Sequence, residues 1–310
     1  MRVVLALGGN AMTAPDGSAT PAAQIAAVEV AMTAAARLVA AGHELVITHG
    51  NGPQVGNLLV KNELAAHVVP PVPLDWCGAQ TQGTLGFTIL DALDDALAAT
   101  GARRPVAAIV TRTLVDRDDP GFTHPTKPIG RYLSHALAQP MIDHGQVWED
   151  RGEKGWRRVV ASPEPLEVLD VPALLTLLEA GHVVVAAGGG GIPVVRDAAG
   201  RLRGVEAVID KDLGAERVAH DVGAQVLMIL TDVPRVALNY RTPNQRDLDR
   251  VTLNELVAYQ EEGHFRAGSM GPKVEACRRF LENGGEEAII ASLHQALEAI
   301  SGSAGTHITT

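Results

Sequence analysis

Two lysines stand where the sequence places the first turns of helices. Lys211 lies between Asp210 and Asp212, where an apolar stretch gives way to a predicted helix that ends at Gly223. The free N–H groups of a first helical turn carry partial positive charge and favour anions. A lysine fits there when an anion binds with it, because the ammonium adds to the field that holds a phosphate. The alternative is a surface lysine paired with a neighbouring aspartate.

A second lysine repeats this arrangement. Residues 267–273, Ala-Gly-Ser-Met-Gly-Pro-Lys, form a flexible segment in which Pro272 suits the first turn of a helix and Lys273 follows at once. The predicted helix runs to the glycines at 284 and 285. Two such lysines favour a polyphosphate held between loops. Phosphoryl transfer depends on positioned charge of this kind more than on covalent chemistry.

Several other chemical motifs are missing from the sequence. It contains no Gly-Lys pair and hence no Walker loop, and Pro193 stands where a dinucleotide-binding fingerprint starting at Gly188 needs a glycine. Neither His-Glu-x-x-His nor paired Cys-x-x-Cys occurs, so no protein-held metal site is predicted. The absence of a Gly-x-Ser-x-Gly elbow argues against a serine hydrolase.

The predicted strands that position these residues end in glycine turns. Apolar strands at 3–7, 44–48 and 183–187 break into turns at 8–10, 49–56 and 188–191. Strand–helix–strand units build parallel sheets that bind ligands at the carboxyl ends of their strands, so both Gly-Asn turns fall at that edge. Four consecutive glycines indicate a close approach of the backbone to a partner. A tight turn without a ligand stays open as the alternative.

The middle and end of the chain are less regular. Residues 112–165 are polar and include a predicted hairpin of 146–149 with 156–160, which we interpret as a lid-like subdomain inserted over the sheet. Thr20 and Pro21 open a predicted helix at 22–41. Further helices are predicted at about 80–99, 172–179 and 253–262, and further strands at 105–111, 226–230 and 288–291. The tail from Ser301 is predicted to be frayed.

Composition sets the broad class. With 310 residues, 46% hydrophobic and 20% charged, the chain can form one large α/β domain or two lobes. A net charge of −10 argues against a nucleic-acid-coating surface and makes any anion site local. We expect no membrane span, because no apolar run reaches the roughly 18 residues needed. We expect no signal peptide, because the apolar run at 1–7 is too short and no small-residue cleavage site follows it. Two cysteines fit a reducing, cytoplasmic location.

Six segments taken together resemble the amino acid kinase family. The turns at 8–10 and 49–54 are similar to the branch of that family that phosphorylates carbamate, and the resemblance spans residues 3 to about 291. Many members of the family carry a lysine just before the first glycine turn. Residues 1–10 of this chain contain no lysine, and in this respect the chain resembles the branch that phosphorylates carbamate. The six segments are residues 7–10, 49–54, 187–192, 209–212, 230–233 and 268–273.

The resemblance implies a fold and an activity. The fold is an α/β three-layer αβα sandwich with a mostly parallel sheet, a single domain over 1–310 with the small inserted subdomain, and a homodimer. The activity is reversible transfer between ATP and carbamate, giving ADP and carbamoyl phosphate, in arginine or related nitrogen catabolism. Mg²⁺ is expected to bind mainly through the nucleotide. The part up to about 200 is expected to hold carbamate and the part from about 201 the nucleotide.

The resemblance also implies residue roles. Lys211 and Lys273 neutralise the transferring phosphoryl group, Asp212 orients them, and Lys127 arrives from the inserted subdomain as it closes. Carbamate needs no base because its oxygen is already anionic, so His49 is interpreted as structural. The implied carbamate-binding residues are Gly8, Gly9, Asn10, Gly50, Asn51 and Gly52. The implied nucleotide-binding residues are Gly188, Gly189, Gly190, Asp232, Tyr240, Ser269 and Met270.

Two other functions stay open at this point. One is a kinase of the same fold that acts on another small acid, such as an amino-acid carboxylate or a phosphonate. The other is a nucleotide-binding sensor that keeps the fold without turnover. The acceptor assay and the Lys211 substitution described below separate them.

Overall fold

The computed structural model describes residues 1–8, 20–266 and 268–310. In chain order its strands and helices are β1 (Arg2–Leu7), α1 (Pro21–Ala40), β2 (Glu44–His49), α2 (Gly52–Ala65), α3 (Leu74–Thr100), β3 (Val106–Ala108), β4 (Arg112–Leu114), α4 (Pro120–Thr123), β5 (Lys127–Leu133), α5 (His135–Asp143), β6 (Val147–Asp150), β7 (Trp156–Val160), β8 (Glu167–Val168), α6 (Val171–Glu179), β9 (Val183–Val185), β10 (Ile192–Arg196), β11 (Leu202–Gly204), α7 (Lys211–Asp221), β12 (Val226–Thr231), β13 (Ala237–Leu238), β14 (Arg246–Asp247), β15 (Arg250–Thr252), α8 (Leu253–Glu261), α9 (Met270–Glu282), β16 (Glu287–Ser292), α10 (Ala296–Ile300) and β17 (Thr306–Thr309).

A central sheet of eight strands runs in the order β15-β17-β16-β12-β1-β2-β9-β3. Strand pairs β12–β1, β1–β2, β2–β9 and β9–β3 are parallel, and β16 also runs parallel to β12. The β16–β17 pair is antiparallel. The prediction of a mostly parallel sheet is therefore confirmed, and the carboxyl ends of β1, β2, β9 and β12 lie at one edge.

Helices cover both faces of this sheet because its strands are apolar on both sides. In β1, Val3, Leu5 and Leu7 pack with side chains of α1 and α3 in one buried cluster. Val4 and Ala6 point the other way and pack with side chains of α7 and α9 in a second cluster. Alternate residues of a strand face opposite sides, so an unbroken apolar run must be covered twice. The three-layer αβα arrangement follows.

Helix α1 begins where the sequence predicts a cap. The hydroxyl of Thr20 accepts a hydrogen bond from Ala23 N, with Pro21 in the first turn. By length and composition alone this helix could cross a membrane, which corrects the expectation that no segment could. One face is nevertheless buried against the protein core, with Val28, Met32 and Leu38 fully covered. A core helix passes the same test of length and composition.

The inserted region contributes to two smaller sheets. Strands β5, β7 and β6 form an antiparallel three-stranded sheet, and the predicted hairpin is confirmed as β6 paired with β7. This sheet has its own small core of Leu133, Ala138 and Trp148. Strand β4 instead pairs with β10 in a separate sheet of order β11-β10-β4-β8. The compact insert is thus shorter than the polar stretch 112–165.

The prediction of a frayed tail from Ser301 is wrong. Strand β17 lies between β15 and β16 in the central sheet, with Thr306, His307 and Ile308 buried. The His307 ring lies 2.7 Å (Nδ1) from Glu287 Oε1 and 2.9 Å (Nε2) from Ala304 O. Glu287 belongs to β16, a separate segment of the chain, so the composition of the tail gave no sign of this contact.

Substitution of Ile308 tests this correction. We expect Ile308→Ala to lower the free energy of unfolding by about 2–5 kcal/mol, the usual cost of truncating a fully buried aliphatic side chain. Ile25→Ala removes the same atoms from the exposed face of α1, where Ile25 is 44% exposed. The control should change stability by no more than about 0.5 kcal/mol. Equal effects in denaturant titrations would contradict the buried position of β17.

Candidate active site

A cleft lies at the carboxyl edge of the central sheet. The chain leaves β1 at Gly8, whose N–H donates to Leu230 O of β12 at 3.0 Å, and Gly50 N, after β2, donates to Leu7 O at 3.1 Å. A Cβ on Gly8 would lie 2.9 Å from Leu230 O, so the close approach requires glycine. The cleft has a volume of about 470 Å³ and is lined by Gly8, Asp210, Lys211, Asp212, Thr231, Asp232, Val233, Arg235, Ala237, Tyr240, Arg241, His264, Phe265, Arg266, Gly268, Ser269, Met270, Pro272 and Lys273.

The two lysines at helix starts meet at this cleft. Lys211 Nζ lies 2.7 Å from Asp212 Oδ1, and Lys273 Nζ lies 3.2 Å from Asp212 Oδ2. The Asp212 side chain is 4% exposed, and those of Lys211 and Lys273 are 22% and 12% exposed. One buried carboxylate therefore holds two ammonium groups that are 62 positions apart in the sequence (273 − 211).

Local sequence explains why α7 starts at Lys211. Asp210 is its N-cap, and Oδ1 of that carboxylate accepts hydrogen bonds from Asp212 N at 2.9 Å and Leu213 N at 3.4 Å. One turn on, a Cβ on Gly214 would lie 2.7 Å from Gly190 Cα. Backbone contact between these glycines brings the start of α7 against the turn after β9.

Helix α9 starts two residues earlier than Pro272 suggests. Met270 is its first residue, so Pro272 and Lys273 lie in the first turn. Gly271 N donates to Arg266 O at 2.9 Å, and a Cβ on Gly271 would lie 2.9 Å from the same oxygen. The absence of a side chain at Gly271 allows this close contact, which holds Arg266 against the start of the helix.

The two lysines share one carboxylate and differ in how they titrate. Burial works against the charge of Lys211, but attraction to Asp212 outweighs it and raises the pKa of Lys211. Burial lowers the pKa of Lys273, the nearby Lys211 charge lowers it further, and Asp212 offsets only part of this. A second positive charge beside the first is harder to keep. A bound polyanion would stabilise both.

Lys127 reaches the same place from the insert. Its Nζ lies 2.5 Å from Asp210 Oδ2, and Asp210 lines the cleft. Burial would raise the pKa of Asp210, but the Lys127 charge outweighs it, and the pKa lies below its ordinary value. All four residues of the predicted catalytic group therefore lie in one network of alternating charge, which also contains Asp210.

The predicted nucleotide-binding residues divide into two groups. Asp232, Tyr240, Ser269 and Met270 line the cleft, and Gly188–Gly190 are not among its lining residues. Asn239 and Arg241, on either side of Tyr240, have positive φ values of 51° and 61°. Non-glycine residues rarely adopt this conformation, and it concentrates at ligand-binding sites. Asparagine adopts positive φ more readily than other non-glycine residues, so the residue type gave a weak sign at Asn239 and none at Arg241.

The glycine turn at 188–191 packs against the protein itself. A Cβ on Gly188 would lie 2.5 Å from the His49 ring, one on Gly189 2.2 Å from Asn51 Nδ2, and one on Gly190 2.9 Å from Ile209. The backbone approaches these side chains too closely for any residue with a Cβ, which explains structurally why glycine occupies the three positions. Direct contact with the nucleotide stays a prediction for Gly188, Gly189 and Gly190.

The predicted carbamate-binding residues lie at the ends of β1 and β2. Asn51 precedes α2, which begins at Gly52, and its Nδ2 donates to Thr81 Oγ1 at 2.8 Å. Gly50 is adjacent to the end of β1, next to Gly8. Gly9 and Asn10, which are also predicted to bind carbamate, lie outside the described residues.

His49 faces inward. It is 2% exposed, its ring Nδ1 lies 3.1 Å from Gly50 O, and burial lowers its pKa. A neutral ring packed on Gly188 matches the interpretation of His49 as a structural residue.

Comparison with known proteins decides the family. The model of the amino acid kinase family matches residues 1–292. The chain belongs to the amino acid kinase family. The resemblance seen in the sequence is therefore confirmed, and so is the fold that it implied. In this family member the cleft described above lies within the matched region.

Individual relatives agree along nearly the whole chain. Carbamate kinase of Thermococcus kodakarensis is 47% identical over 99% of this chain and 98% of its own length. Carbamate kinase of Clostridium perfringens is 43% identical, with 99% of each chain covered. The structure of carbamate kinase from Giardia lamblia bound to AMP-PNP superposes with a TM-score of 0.94 at 40% identity, covering 99% of this chain and 98% of that one.

Sequence reasoning missed several residues of this family member's cleft. Among the described residues, five lysines or arginines and three aspartates line it, although the whole chain carries a net charge of −10. The cationic residues not singled out from the sequence are Arg235, Arg241 and Arg266. Arg266 directly precedes the 267–273 segment, so its position was the one available signal. The local excess of positive charge matches an anionic ligand.

Proposed function

We propose that this protein catalyses reversible phosphoryl transfer between ATP and carbamate, forming ADP and carbamoyl phosphate. The observation that carries the proposal is the pair of ammonium groups on one buried carboxylate at the cleft. The names of the relatives supply the acceptor, and the AMP-PNP complex of the Giardia enzyme supports ATP as the donor. The direction that forms ATP, in arginine or related nitrogen catabolism, is part of the proposal.

The residues at the cleft suit this reaction. In the transfer, the oxygen of carbamate attacks the terminal phosphorus of ATP, the bond from that phosphorus to the bridging oxygen breaks, and ADP leaves. Charge spreads over the oxygens of the moving group. Lys211 and Lys273 neutralise that charge, Asp212 fixes their positions, and Lys127 adds a third ammonium. Preorganised groups of this kind contribute most when water is excluded.

The two substrates are assigned to the two sides of the cleft. Carbamate binds between the turns after β1 and β2, at Gly8, Gly9, Asn10, Gly50, Asn51 and Gly52. The nucleotide binds along the side lined by Asp232, Tyr240, Ser269 and Met270, with Gly188–Gly190 behind it. The N-terminal part to about 200 thus holds the acceptor, and the part from about 201 holds the nucleotide.

Mg²⁺ is proposed to enter with the nucleotide. No group of three or more His, Cys, Asp or Glu within residues 1–8, 20–266 and 268–310 is arranged to hold a metal ion. Mg²⁺ commonly keeps several waters and binds through substrate phosphates and one or two carboxylates. Asp232 lines the cleft and is among the proposed nucleotide-binding residues, so it is the carboxylate proposed to assist. The ion neutralises phosphate charge when bound.

The acceptor assay tests the proposal. ATP formed from ADP and carbamoyl phosphate is measured against ADP formed from ATP with aspartate, N-acetylglutamate or fosfomycin. We expect ATP to form from carbamoyl phosphate and ADP, and we expect no ADP to form with aspartate, N-acetylglutamate or fosfomycin as the acceptor. Absence of ATP from carbamoyl phosphate would reject the proposal, and turnover of one of the others would identify the acceptor.

A pH profile tests the assignment of Lys273. The protonated lysine is the active form, so activity is present below its pKa and lost as pH rises through it. Burial and the nearby Lys211 charge lower the pKa of Lys273. ADP affinity should therefore begin to fall at a pH below about 10.4, the ordinary pKa of a lysine side chain. Titration calorimetry with ADP measures the affinity. Lys273→Arg, which stays charged, should remove this alkaline decline, and an unchanged decline would contradict the assignment.

A homodimer in the cytoplasm completes the proposal. Helix α3 exposes Trp76 and Phe87, which are 60% and 64% exposed, and its Gly86 packs against Ala108 of the edge strand β3. Large exposed apolar side chains mark interaction surfaces. Sedimentation should give a dimer mass that falls to the monomer value in Phe87→Glu. The buried, free thiols of Cys77 and Cys277 suit a reducing compartment.

A further inference from the structure

We propose that Asp210 is a positioning residue that holds the Lys127 ammonium in place for phosphoryl transfer. This inference rests on the proposed function and adds a residue to it. Asp210 and Asp212 are both neighbours with which Lys211 could pair, and in the structure Lys211 pairs with Asp212.

The two oxygens of Asp210 have separate partners. Oδ1 accepts from the first-turn N–H groups of Asp212 and Leu213, which fixes the carboxylate relative to α7. Oδ2 accepts from Lys127 Nζ at 2.5 Å. Because the cap orients the carboxylate, Oδ2 is aimed at one point beside the start of the helix that carries Lys211 and Asp212. The side chain is 13% exposed, so water screens the pair only in part.

Lys127 needs such a partner because it comes from a separate unit. It is the first residue of β5, in the three-stranded sheet of the insert. That sheet packs on α2 through Ile129 and Val160, which share a buried cluster with Val55 and Leu59. These apolar contacts place the sheet but do not direct a lysine side chain, which is 35% exposed. The ion pair with Asp210 directs it.

Position matters more than binding strength here. Misplacement of a reacting or stabilising group by about 1 Å can cost about 10²-fold in rate. Lys127 freed from Asp210 keeps its charge and stays on the insert, so part of its effect survives. We therefore expect loss of the Asp210 charge to lower kcat by about 10-fold, less than loss of Lys127 itself, with ADP affinity unchanged within about twofold.

The main test variant is Asp210→Asn. Asparagine caps helices as well as aspartate does, so α7 keeps its start while the charge is lost. Lys127→Met and the double variant complete a cycle measured as kcat for ATP formation. We expect the double variant to match Lys127→Met, because Asp210 acts through that lysine. The inference would be overturned if the loss of kcat in the double variant equalled the product of the two single losses. A kcat unchanged in Asp210→Asn would also overturn it.

A second measurement is independent of turnover. Folded wild-type protein and Asp210→Asn are acetylated with acetic anhydride and then digested, and mass spectrometry of the peptides gives the rate at Lys127. This rate reports whether the ion pair holds the amine. We expect a severalfold faster reaction in the variant, with Lys61 on α2 as the internal control. An equal rate for Lys127 would overturn the inference even if carbamoyl phosphate proved not to be the substrate.

Asp210→Ser covers the case in which the asparagine variant fails to fold. Serine is also a strong N-cap but cannot reach Lys127 with a charge. The same loss of kcat and the same faster acetylation are expected. A wild-type protein with no activity towards carbamoyl phosphate rejects the proposed function, whereas an active wild type with unaffected Asp210 variants rejects only the role of Asp210.

Discussion

Lys211→Met should lower kcat for ATP formation from ADP and carbamoyl phosphate by about 10²-fold or more, the usual effect of removing one preorganised charge stabiliser. Lys211 lies at the cleft, its ammonium is held 2.7 Å from Asp212, and this ion pair raises its pKa despite burial. The charge is therefore present before substrate arrives. Methionine keeps most of the side-chain volume, so the change removes charge with little loss of packing.

The measurement separates three outcomes. Steady-state rates with both substrates in excess give kcat, and calorimetry gives ADP affinity. A nucleotide-binding sensor would bind ADP normally in the variant and would show no turnover even as the wild-type protein. Lys61→Met makes the same change on the exposed face of α2 and should leave kcat within about twofold. A kcat for Lys211→Met within tenfold of wild type would contradict the phosphoryl-transfer assignment.

Asp212→Ala should lower the free energy of unfolding by roughly 3–5 kcal/mol, the usual cost of removing one partner from a buried ion pair. The carboxylate is 4% exposed and faces two ammonium groups. Its loss leaves two like charges beside each other in a partly dry site. Turnover should fall as well, because neither lysine is then held in position.

A second substitution identifies the cause. If repulsion between the lysines is responsible, Asp212→Ala combined with Lys273→Met should be more stable than Asp212→Ala alone. Denaturant titration of both variants measures this, with Asp91→Ala on the exposed side of α3 as the control. If the double variant loses as much free energy of unfolding as the two single variants added together, lost packing is the cause. That result would contradict the electrostatic explanation.

Sequence patterns predicted the parts of the fold that are encoded locally. The apolar runs of β1, β2 and β12 and the cap at Thr20 are continuous in the chain, so their positions were predicted to within one or two residues. The lysines at the starts of α7 and α9 were recognisable because glycine, proline and aspartate stand beside them. The meeting of these strand ends at one sheet edge followed from the parallel topology.

The rest depends on partners that are distant in sequence. Lys127 and Asp210 are 83 residues apart, and nothing near either one indicates the other. Strand β4 pairs with β10 across a similar separation, and the buried strand β17 depends on Glu287 and on β15. The backbone of Asn239 and Arg241 is set by the hairpin that contains them. Tertiary context decided each of these features.

The place of β17 between β15 and β16 has a consequence for biosynthesis. Domains generally acquire structure from the N-terminus as the ribosome makes them. In the central sheet of the described residues, β15 lies at the edge and pairs with β17, which comes later in the chain. Strand β15 can therefore join the sheet only once β17 has been synthesised, so this edge is the last part of the sheet to form.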